Sequence, residues 1–402
     1  MNYKELFPVY QTHKELVYLD SAASALKPEV VIEEIDNYYR NFSSNIYRGV
    51  YPLSFDATRI VEESRHKIAT FINAFDNEVV FTRGCSQSLN MVALMLKGRL
   101  KKGDEVITSE LEHHSNFLPW LKLEKEIGIV LKFVPLTNEG KITVENFKKV
   151  LSPKTKVVAL TEVSNVMGYV SPIKEIIKLS HDYHALVSVD GAQAIPHIKV
   201  DVKDLDCDFY SFSLHKMCGP TGLGVLFGKY ELLKDLDPVE LGGEMNDEVT
   251  KDSVTYKDSP YKFETGTMPI AEMFGAGATV DFINNIGLDT IQKRSLYLAE
   301  MARNGLRSIK EVIIYNDHED TSVIAFNIKG VHSHDAVQFY SENNICLRAG
   351  QHCAEPLHLD ILHIFATLRA SFYFYNDESD VAKFIEVTKK AIAFFKEVGY
   401  LE

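Results

Sequence analysis

The 402-residue sequence lacks the features of membrane-spanning, secreted and nucleic-acid-binding proteins. No apolar run approaches the roughly 18 residues that a membrane helix needs. The N-terminus has neither the basic start nor the apolar centre of a signal peptide. Positive charge is in deficit, because 43 Lys and Arg stand against 56 Asp and Glu, for a net charge of -13. Binding to nucleic acid or an anionic membrane needs clustered cations, so we expect neither, and we expect a soluble, cytoplasmic protein.

Cysteine is also scarce. An odd number of cysteines without a CxxC pair argues against a disulfide framework and against a zinc knuckle, so the sequence predicts no metal site. A free cysteine is usually a small buried apolar residue, and we expect this for most of the set, with Cys353 as the exception. The five cysteines are Cys85, Cys207, Cys218, Cys346 and Cys353.

What the sequence does contain is a globular composition, 46% hydrophobic and 25% charged, with enough length for a large core. From about residue 78, short β-branched runs alternate with amphipathic helical patterns. This alternation predicts an α/β fold whose mostly parallel, seven-stranded sheet is covered on both faces. Residues 229–269 look irregular. The predicted strands are Glu78–Thr82, Glu105–Thr108, Val130–Val134, Val157–Thr161, Leu186–Val189, Phe209–Phe212 and Gly224–Phe227.

The last third of the chain alternates differently and predicts a smaller α+β unit. We expect an N-terminal segment, residues 1–24, that packs with this unit, a large domain over residues 25–280, and a small domain over residues 281–402. The patterns behind this division are helices at Ile270–Asn284, Leu288–Ile309, His334–Asn343 and Ser379–Val398, and strands at Val312–Tyr315, Val323–Ile328 and Ile345–Arg348.

Polar residues follow three of the predicted strands, at the edge where open α/β sheets bind ligands. After Gly84, the hydroxyl of Ser86 and the first helical N–H groups would hold a phosphate, although such turns are common without one. Asp190 would pair with a cationic ring nitrogen or simply cap a helix. Lys216 lies in a turn walled by Gly and Pro, whereas most lysines are solvated.

Together, these three sites offer a phosphate cradle, an acid and an amine. Pyridoxal 5'-phosphate (PLP) requires this combination: an anchor for its phosphate, a carboxylate that keeps its ring nitrogen protonated, and a lysine that bonds its aldehyde carbon. We therefore expect a PLP-dependent enzyme with Lys216 as the covalent anchor and the large domain as the PLP-binding domain.

The sequence resembles the fold-type I, class V aminotransferase superfamily of PLP enzymes and, within it, the SUF-type cysteine desulfurases. The resemblance extends over nearly the whole chain. It is carried by Leu19-Asp20-Ser21-Ala22-Ala23, Glu112-His113-His114-Ser115-Asn116, Val163-Ser164-Asn165-Val166-Met167-Gly168, Asp190-Gly191-Ala192-Gln193-Ala194, His215-Lys216, Phe263-Glu264-Thr265-Gly266-Thr267, Arg348-Ala349-Gly350-Gln351-His352-Cys353-Ala354 and Leu368-Arg369-Ala370-Ser371-Phe372.

The resemblance implies a role for each matching residue. His113 would stack on the PLP ring, Asp190 would pair with its nitrogen and Gln193 with its phenolic oxygen. Thr267 would reach the phosphate of the partner subunit, which implies a homodimer. The other implied roles are phosphate binding by Ser86, Ser213 and His215, binding of the substrate carboxylate by Arg369 and Asn165, further pocket contacts by Arg48 and Arg348, and sulfur acceptance by Cys353. From the residues alone, His113 is better explained by a solvated helix start and Arg369 by a surface ion pair.

Cys353 also has an argument of its own, because Arg348 and His352 are close in sequence. Cationic neighbours lower the pKa of a thiol, and the thiolate is the form that attacks sulfur. We expect conversion of L-cysteine to alanine, with sulfur held on Cys353 as a persulfide and passed to an acceptor protein of iron–sulfur cluster assembly. The alternatives are a selenocysteine lyase acting on L-selenocysteine, a class V aminotransferase, and a non-catalytic scaffold.

The sequence departs from the family pattern at several positions. The family commonly has Thr-Thr-Glu at Cys85-Ser86-Gln87. Ser86 keeps a hydroxyl, but Cys85 replaces one with a thiol, and the sequence does not explain a thiol beside the cofactor. Tyr47 replaces a histidine and Leu214 a common glycine. Gln351 and Glu355 replace a common histidine and a common Gln or Met, and these two flank the expected nucleophile, where they would affect acceptor docking or the pKa of the thiol.

Overall fold

A computed structural model describes residues 2–318 and 320–400 of the chain. The strands are β1 (Val17–Tyr18), β2 (Val79–Thr82), β3 (Glu105–Thr108), β4 (Val130–Phe133), β5 (Thr155–Thr161), β6 (Leu186–Asp190), β7 (Phe209–Ser213), β8 (Gly224–Gly228), β9 (Asn246–Val249), β10 (Val254–Tyr256), β11 (Val312–Ile314), β12 (Val323–Ile328), β13 (Ile345–Cys346), β14 (Arg348–Gly350) and β15 (Thr367–Ser371).

Helices cover both faces of the central sheet and connect most of its strands. They are α1 (Val9–Thr12), α2 (Glu29–Asn37), α3 (Pro52–Phe71), α4 (Cys85–Lys97), α5 (His114–Ile127), α6 (Val144–Val150), α7 (Ile173–Asp182), α8 (Val202–Leu205), α9 (Tyr230–Asp235), α10 (Ile270–Ile286), α11 (Leu288–Arg307), α12 (Ser333–Glu342) and α13 (Glu378–Glu397).

The central sheet has seven strands in the order β2-β8-β7-β6-β5-β3-β4. Strand β8 runs antiparallel to β2 and β7, and the other pairs are parallel. Both faces are buried: Val157 and Ala159 pack against α4 and α5, whereas Val158 and Leu160 face the core under α3, α7 and α10. This alternation explains why the strands appear as continuous apolar runs. The expected α/β class and mostly parallel seven-stranded sheet are confirmed.

The C-terminal part forms a four-stranded antiparallel sheet in the order β11-β12-β15-β14. The N-terminal segment joins it, because β1 pairs with β13 and Asp20 forms a bridge with Ser371. Helix α10 runs through residue 280, and the domain division at residues 24 and 280 stays a prediction. Within the described ranges, no helix is both long and apolar enough to cross a bilayer.

The structure differs from the sequence prediction in three segments. The strand predicted over Ile345–Arg348 is divided into β13 and β14, which belong to different sheets. Residues 229–269, expected to be irregular, contain α9 and the hairpin of β9 and β10, whose residues are mostly exposed and therefore carry no apolar pattern. Strand β15 is fully buried. Its sequence, Thr-Leu-Arg-Ala-Ser, did not predict a buried strand because three of its five residues are polar or charged, among them Arg369.

Candidate active site

A cavity of about 280 Å³ opens at the carboxyl ends of β5, β6 and β7. This is the edge where the sequence placed its three polar sites, and the structure brings them together there. All but two of the predicted site residues line the cavity. The predicted residues that line it are Cys85, Ser86, His113, Asn165, Asp190, Gln193, Ser213, His215, Lys216, Arg348, Cys353 and Arg369.

One end of the cavity is rich in hydroxyl groups and amide donors. Helix α4 starts at Cys85, whose backbone N–H donates to Ser213 Oγ at 2.7 Å. Ser86 Oγ lies 2.6 Å from Ser115 Oγ. The turn before α4 favours glycine because Gly84 has a φ of 155°. Gly224, on the neighbouring strand, is also required, since a Cβ there would stand 2.4 Å from the Gly84 Cα. The hydroxyls and the start of α4 suit an anionic group such as a phosphate.

Asp190 ends β6 and is almost fully buried. Its Oδ1 accepts a hydrogen bond from the Ala192 N–H at 2.9 Å and lies 3.4 Å from the Cys85 Sγ. Burial and the nearby carboxylate raise the pKa of the Cys85 thiol well above its ordinary value. The thiol therefore stays protonated and is a donor toward Asp190 or toward the Ser211 carbonyl, 3.3 Å away.

Lys216 lies in the short helical turn after β7 and lines the cavity wall, where its side chain is partly buried. Burial lowers the pKa of its amine, and the nearby Asp190 carboxylate opposes that shift. An amine with a lowered pKa is a better nucleophile and base near neutral pH.

His113 is the N-cap of α5, and its Nδ1 accepts a hydrogen bond from the Ser115 N–H at 3.1 Å. Burial lowers the pKa of the ring to about 4, so the imidazole is neutral and carries its proton on Nε2. The pKa of His215 is also lowered to about 4, chiefly by burial and then by Lys216 and Lys27. Both rings therefore enter the site without charge.

Two arginines and one aspartate form a charged group at the other end of the cavity. Arg348 donates to both carboxylate oxygens of Asp20, at 3.1 Å and 2.8 Å. Arg369 is buried, lies 3.4 Å from the same carboxylate and donates to the Asn165 carbonyl at 2.9 Å. Burial lowers the pKa of Arg369 to about 10, which leaves the guanidinium charged at neutral pH and suited to a substrate carboxylate.

Cys353 is exposed at the cavity rim, in a loop where His352 and Cys353 have φ values of 52° and 57°. The expectation that His352 supplies positive charge to the thiol is wrong. The ring is buried against the Thr367 hydroxyl at 2.9 Å, and burial lowers its pKa well below the ordinary value. Of the two residues close in sequence, Arg348 keeps its positive charge and is paired with Asp20, and the buried Arg369 is a second cation near the thiol.

Arg48 and Thr267 lie outside the cavity of their own chain. Arg48 is exposed and pairs with Glu244 at 2.8 Å. Thr267 is exposed in the loop that follows Gly266. The segments that carry them meet, because Tyr47 and Gly266 line one small cavity together.

Two departures from the family pattern have a structural account. Leu214 is fully buried under the Lys216 turn, and its carbonyl accepts hydrogen bonds from Met217 and Gly219. Tyr47 donates from its hydroxyl to Glu62 at 2.7 Å, outside the cavity.

Sequence reasoning gave no role to Asp20 or Ser115. Asp20 orients both arginines and Ser115 contacts Ser86. Both residues stand in stretches that carried the resemblance, Leu19–Ala23 and Glu112–Asn116, and their position in these stretches is the sequence feature that could have identified them as site residues.

The donor set fits PLP. Hydroxyls at one end would hold its phosphate, the buried Asp190 would face the ring nitrogen, the neutral ring of His113 would lie on a ring face, and Lys216 would reach the aldehyde carbon. Gln193 lines the same wall, and its Oε1 and the Arg369 Nε are buried atoms with no hydrogen-bond partner within the described residues. Buried polar atoms of this kind suit a bound polar ligand.

A family model described as aminotransferase class V matches residues 17–384 of the chain. A probable cysteine desulfurase from Halalkalibacterium halodurans is 45% identical, over 96% of this chain and 97% of that protein. A probable cysteine desulfurase from Staphylococcus aureus is 42% identical, over 95% and 93% of the two chains.

Solved structures agree with these sequence relatives. The cysteine desulfurase CsdA from Escherichia coli, in an S-sulfonic acid form, superposes with a TM-score of 0.92 at 38% identity over 98% of both chains. The apo cysteine desulfurase from Thermococcus onnurineus also has a TM-score of 0.92, at 36% identity over 95% of this chain and 96% of that one.

Proposed function

The chain belongs to the cysteine desulfurases of the class V aminotransferase family, PLP-dependent enzymes that convert cysteine to alanine and pass on its sulfur as a persulfide, and on that premise we propose which of its residues do this. The proposal is that Lys216, Asp190 and His113 serve the cofactor and that Cys353 takes the sulfur. The observation that carries it is the single cavity lined by all four residues.

PLP, when bound, supplies an electron sink for the substrate's α carbon. Asp190 would keep the ring nitrogen protonated, and the Cys85 thiol would hold that carboxylate through its S–H. Ser86, Ser213 and His215 would bind the phosphate, and Gln193 the phenolic oxygen. His113 would lie against the ring as a neutral imidazole.

The substrate carboxylate would bind Arg369, with Asn165 at its side and Arg348 at the cavity rim. Lys216 Nζ would remove the proton from the α carbon, because burial lowers the pKa of the amine and so favours its neutral form. Cys353 Sγ would then attack the substrate's sulfur. An S–S bond forms, the Cβ–S bond breaks, and Cβ gains a proton to become the methyl group of alanine. In the net reaction, L-cysteine and the Cys353 thiol give L-alanine and the Cys353 persulfide.

The test uses the holoenzyme with L-cysteine as the substrate. Alanine release is measured, and the persulfide is mapped by mass spectrometry after the thiols are blocked. We expect sulfur on Cys353, and we expect Cys353→Ser to abolish both the modification and most of the alanine release. Cys346→Ser is the matched control, since this thiol lies on β13 outside the cavity. Alanine release by Cys353→Ser at the unmodified rate would show that another group accepts the sulfur.

We further propose a homodimer in which Thr267 reaches the phosphate of the partner subunit's cofactor and Arg48 contacts the same neighbouring site. The support is the family resemblance together with the exposure of both residues away from their own cavity. Light scattering of the holoenzyme should give twice the chain mass, and Thr267→Ala should weaken PLP retention by roughly two- to ten-fold. A monomer with full PLP content would contradict this arrangement.

The sulfur acceptor that we propose is a protein of the SUF type, and the proposed substrate is L-cysteine, with L-selenocysteine as the alternative. The exposed position of Cys353 supports transfer to another protein, because the persulfide would stand at the surface. Rates measured with each amino acid, and sulfur transfer to purified candidate acceptors, test the two statements separately.

A further inference from the structure

The loop that carries Cys353 is held in an unfavourable backbone conformation. His352 and Cys353 are consecutive non-glycine residues with φ values of 52° and 57°. Each residue in this left-handed region costs roughly 1–2 kcal/mol relative to ordinary backbone. Such a conformation persists only where neighbouring groups hold it, so the structure around the loop contains the groups that place the nucleophile.

Two backbone oxygens of the loop accept hydrogen bonds from two different elements. The Asn165 side chain donates to the His352 carbonyl at 2.7 Å, and the His114 N–H donates to the Cys353 carbonyl at 2.8 Å. The second bond ties the nucleophile directly to the first residue of α5, one position after His113.

His114 also contacts the loop through its side chain. Its Nε2 meets a carboxylate oxygen of Glu355, two residues after the nucleophile, and both side chains are partly exposed. His114 therefore holds the loop on both sides of the Cys353 peptide, once by its backbone and once by its imidazole. Glu355 is one of the positions where this chain departs from the family pattern.

We propose that Glu355 and His114 are positioning residues that hold the Cys353 loop against the start of α5, with the thiol at the cavity rim. This inference depends on the proposed role of Cys353 as sulfur acceptor. Neither side chain takes part in bond making. Their contact limits the excursions of the loop and so raises the fraction of time in which Cys353 Sγ faces the substrate's sulfur.

A double-variant cycle tests the pair in the holoenzyme. The variants are Glu355→Gln, which keeps the shape and removes the charge, His114→Asn, which keeps the backbone N–H, and their combination. Glu386→Gln is the control, because Glu386 forms an exposed pair with Lys390 on α13 at 2.6 Å. The first measurement is the single-turnover rate of persulfide formation on Cys353, and the second is hydrogen exchange of the peptide that covers residues 351–356.

We expect each single variant to slow sulfur loading by roughly two- to five-fold, the range typical of one partly exposed side-chain contact. The double variant should be no slower than the slower single variant, because both changes remove the same contact. Exchange in residues 351–356 should speed up by a similar factor, while the affinity for cysteine, read from the cofactor's absorbance, and the midpoint of thermal unfolding stay as in the parent protein.

Unchanged loading and exchange in Glu355→Gln would overturn the proposal, as would losses that multiply in the double variant. A loss of cysteine affinity without a change in exchange would also overturn it. Failure of the proposed function has a different signature, since alanine would then form in the parent enzyme without sulfur on Cys353. In that case the exchange measurement still decides whether the pair holds the loop.

Discussion

The buried ion pair between Arg65 and Glu264 allows a quantitative test of how the loop before Thr267 is anchored. Arg65, on α3, contacts the two oxygens of Glu264 at 2.6 Å and 2.9 Å, and the two side chains are 1% and 3% exposed. Arg65 also donates to the Val79 carbonyl at 2.8 Å, and the Phe81 N–H donates to Glu264 at 2.7 Å. The pair and its hydrogen bonds thus connect α3, β2 and the loop that contains Glu264.

Arg65→Met keeps the length of the side chain and removes the cation. The Glu264 carboxylate would then be a buried charge held by one backbone donor, and removal of one partner of such a pair costs about 3–5 kcal/mol. Arg59→Met is the matched control on the same helix. Arg59 pairs with Glu63 at 2.8 Å but both side chains are more than half exposed, and pairs of that kind contribute at most about 1 kcal/mol.

Urea unfolding of each holoenzyme, at the same PLP concentration, measures both losses. We expect Arg65→Met to lower the free energy of unfolding by about 3–5 kcal/mol. Adding Glu264→Gln to that variant should recover part of the loss, because residue 264 is then neutral while its amide oxygen still accepts from Phe81; the partly exposed Glu62, which Arg65 also contacts at 3.3 Å, keeps its charge in both variants. A loss below about 1 kcal/mol for Arg65→Met, or an equal loss for Arg59→Met, would refute the reasoning.

Two further predictions concern buried groups beside the cavity. Burial raises the pKa of Glu112 from 4.5 to about 8. Between pH 4.5 and about pH 8 the folded state therefore keeps a proton that the unfolded chain loses. Over this pH range the free energy of unfolding falls by up to about 1.4 kcal/mol per pH unit as the pH rises. Glu112→Gln should flatten this fall in urea unfolding, whereas Glu139→Gln, at an exposed position, should not. Cys85→Ala removes a donor to Asp190 and should weaken PLP binding in titrations by roughly two- to ten-fold; Cys85→Ser should restore it, and equal affinity in all three proteins would contradict the role.

The sequence predicted the central sheet well because burial on both faces leaves a pattern that can be seen without coordinates. The run at Glu105–Thr108 coincides with β3 of this sheet, and the run at Val323–Ile328 coincides with β12 of the smaller sheet, which is also buried on both faces. The hairpin of β9 and β10 left no such pattern, because its residues face solvent and its pairing depends on main-chain bonds.

The same distinction applies to the candidate site. Lys216 and Asp190 stand at the ends of apolar strands, and parallel strands place their ends at one edge, so their proximity follows from the order of elements. The contacts of Asp20 with Arg369 and of His114 with Glu355 join parts of the chain that lie hundreds of residues apart. Local patterns do not encode such pairs, and only the folded chain brings them together.

Charge state is the property that sequence reasoning judged least well, and burial is the reason. His352 counts as a potential cation in the sequence, yet its ring is buried and its pKa falls well below the ordinary value. Burial also lowers the pKa values of His113, His215 and Lys216. One physical cause therefore leaves neutral rings around the cofactor site and favours a neutral amine that can accept a proton. Arg369 keeps its charge because its lowered pKa, about 10, still exceeds neutral pH, so a cation is in place for the proposed binding of the substrate carboxylate at the end of the cavity where Cys353 stands.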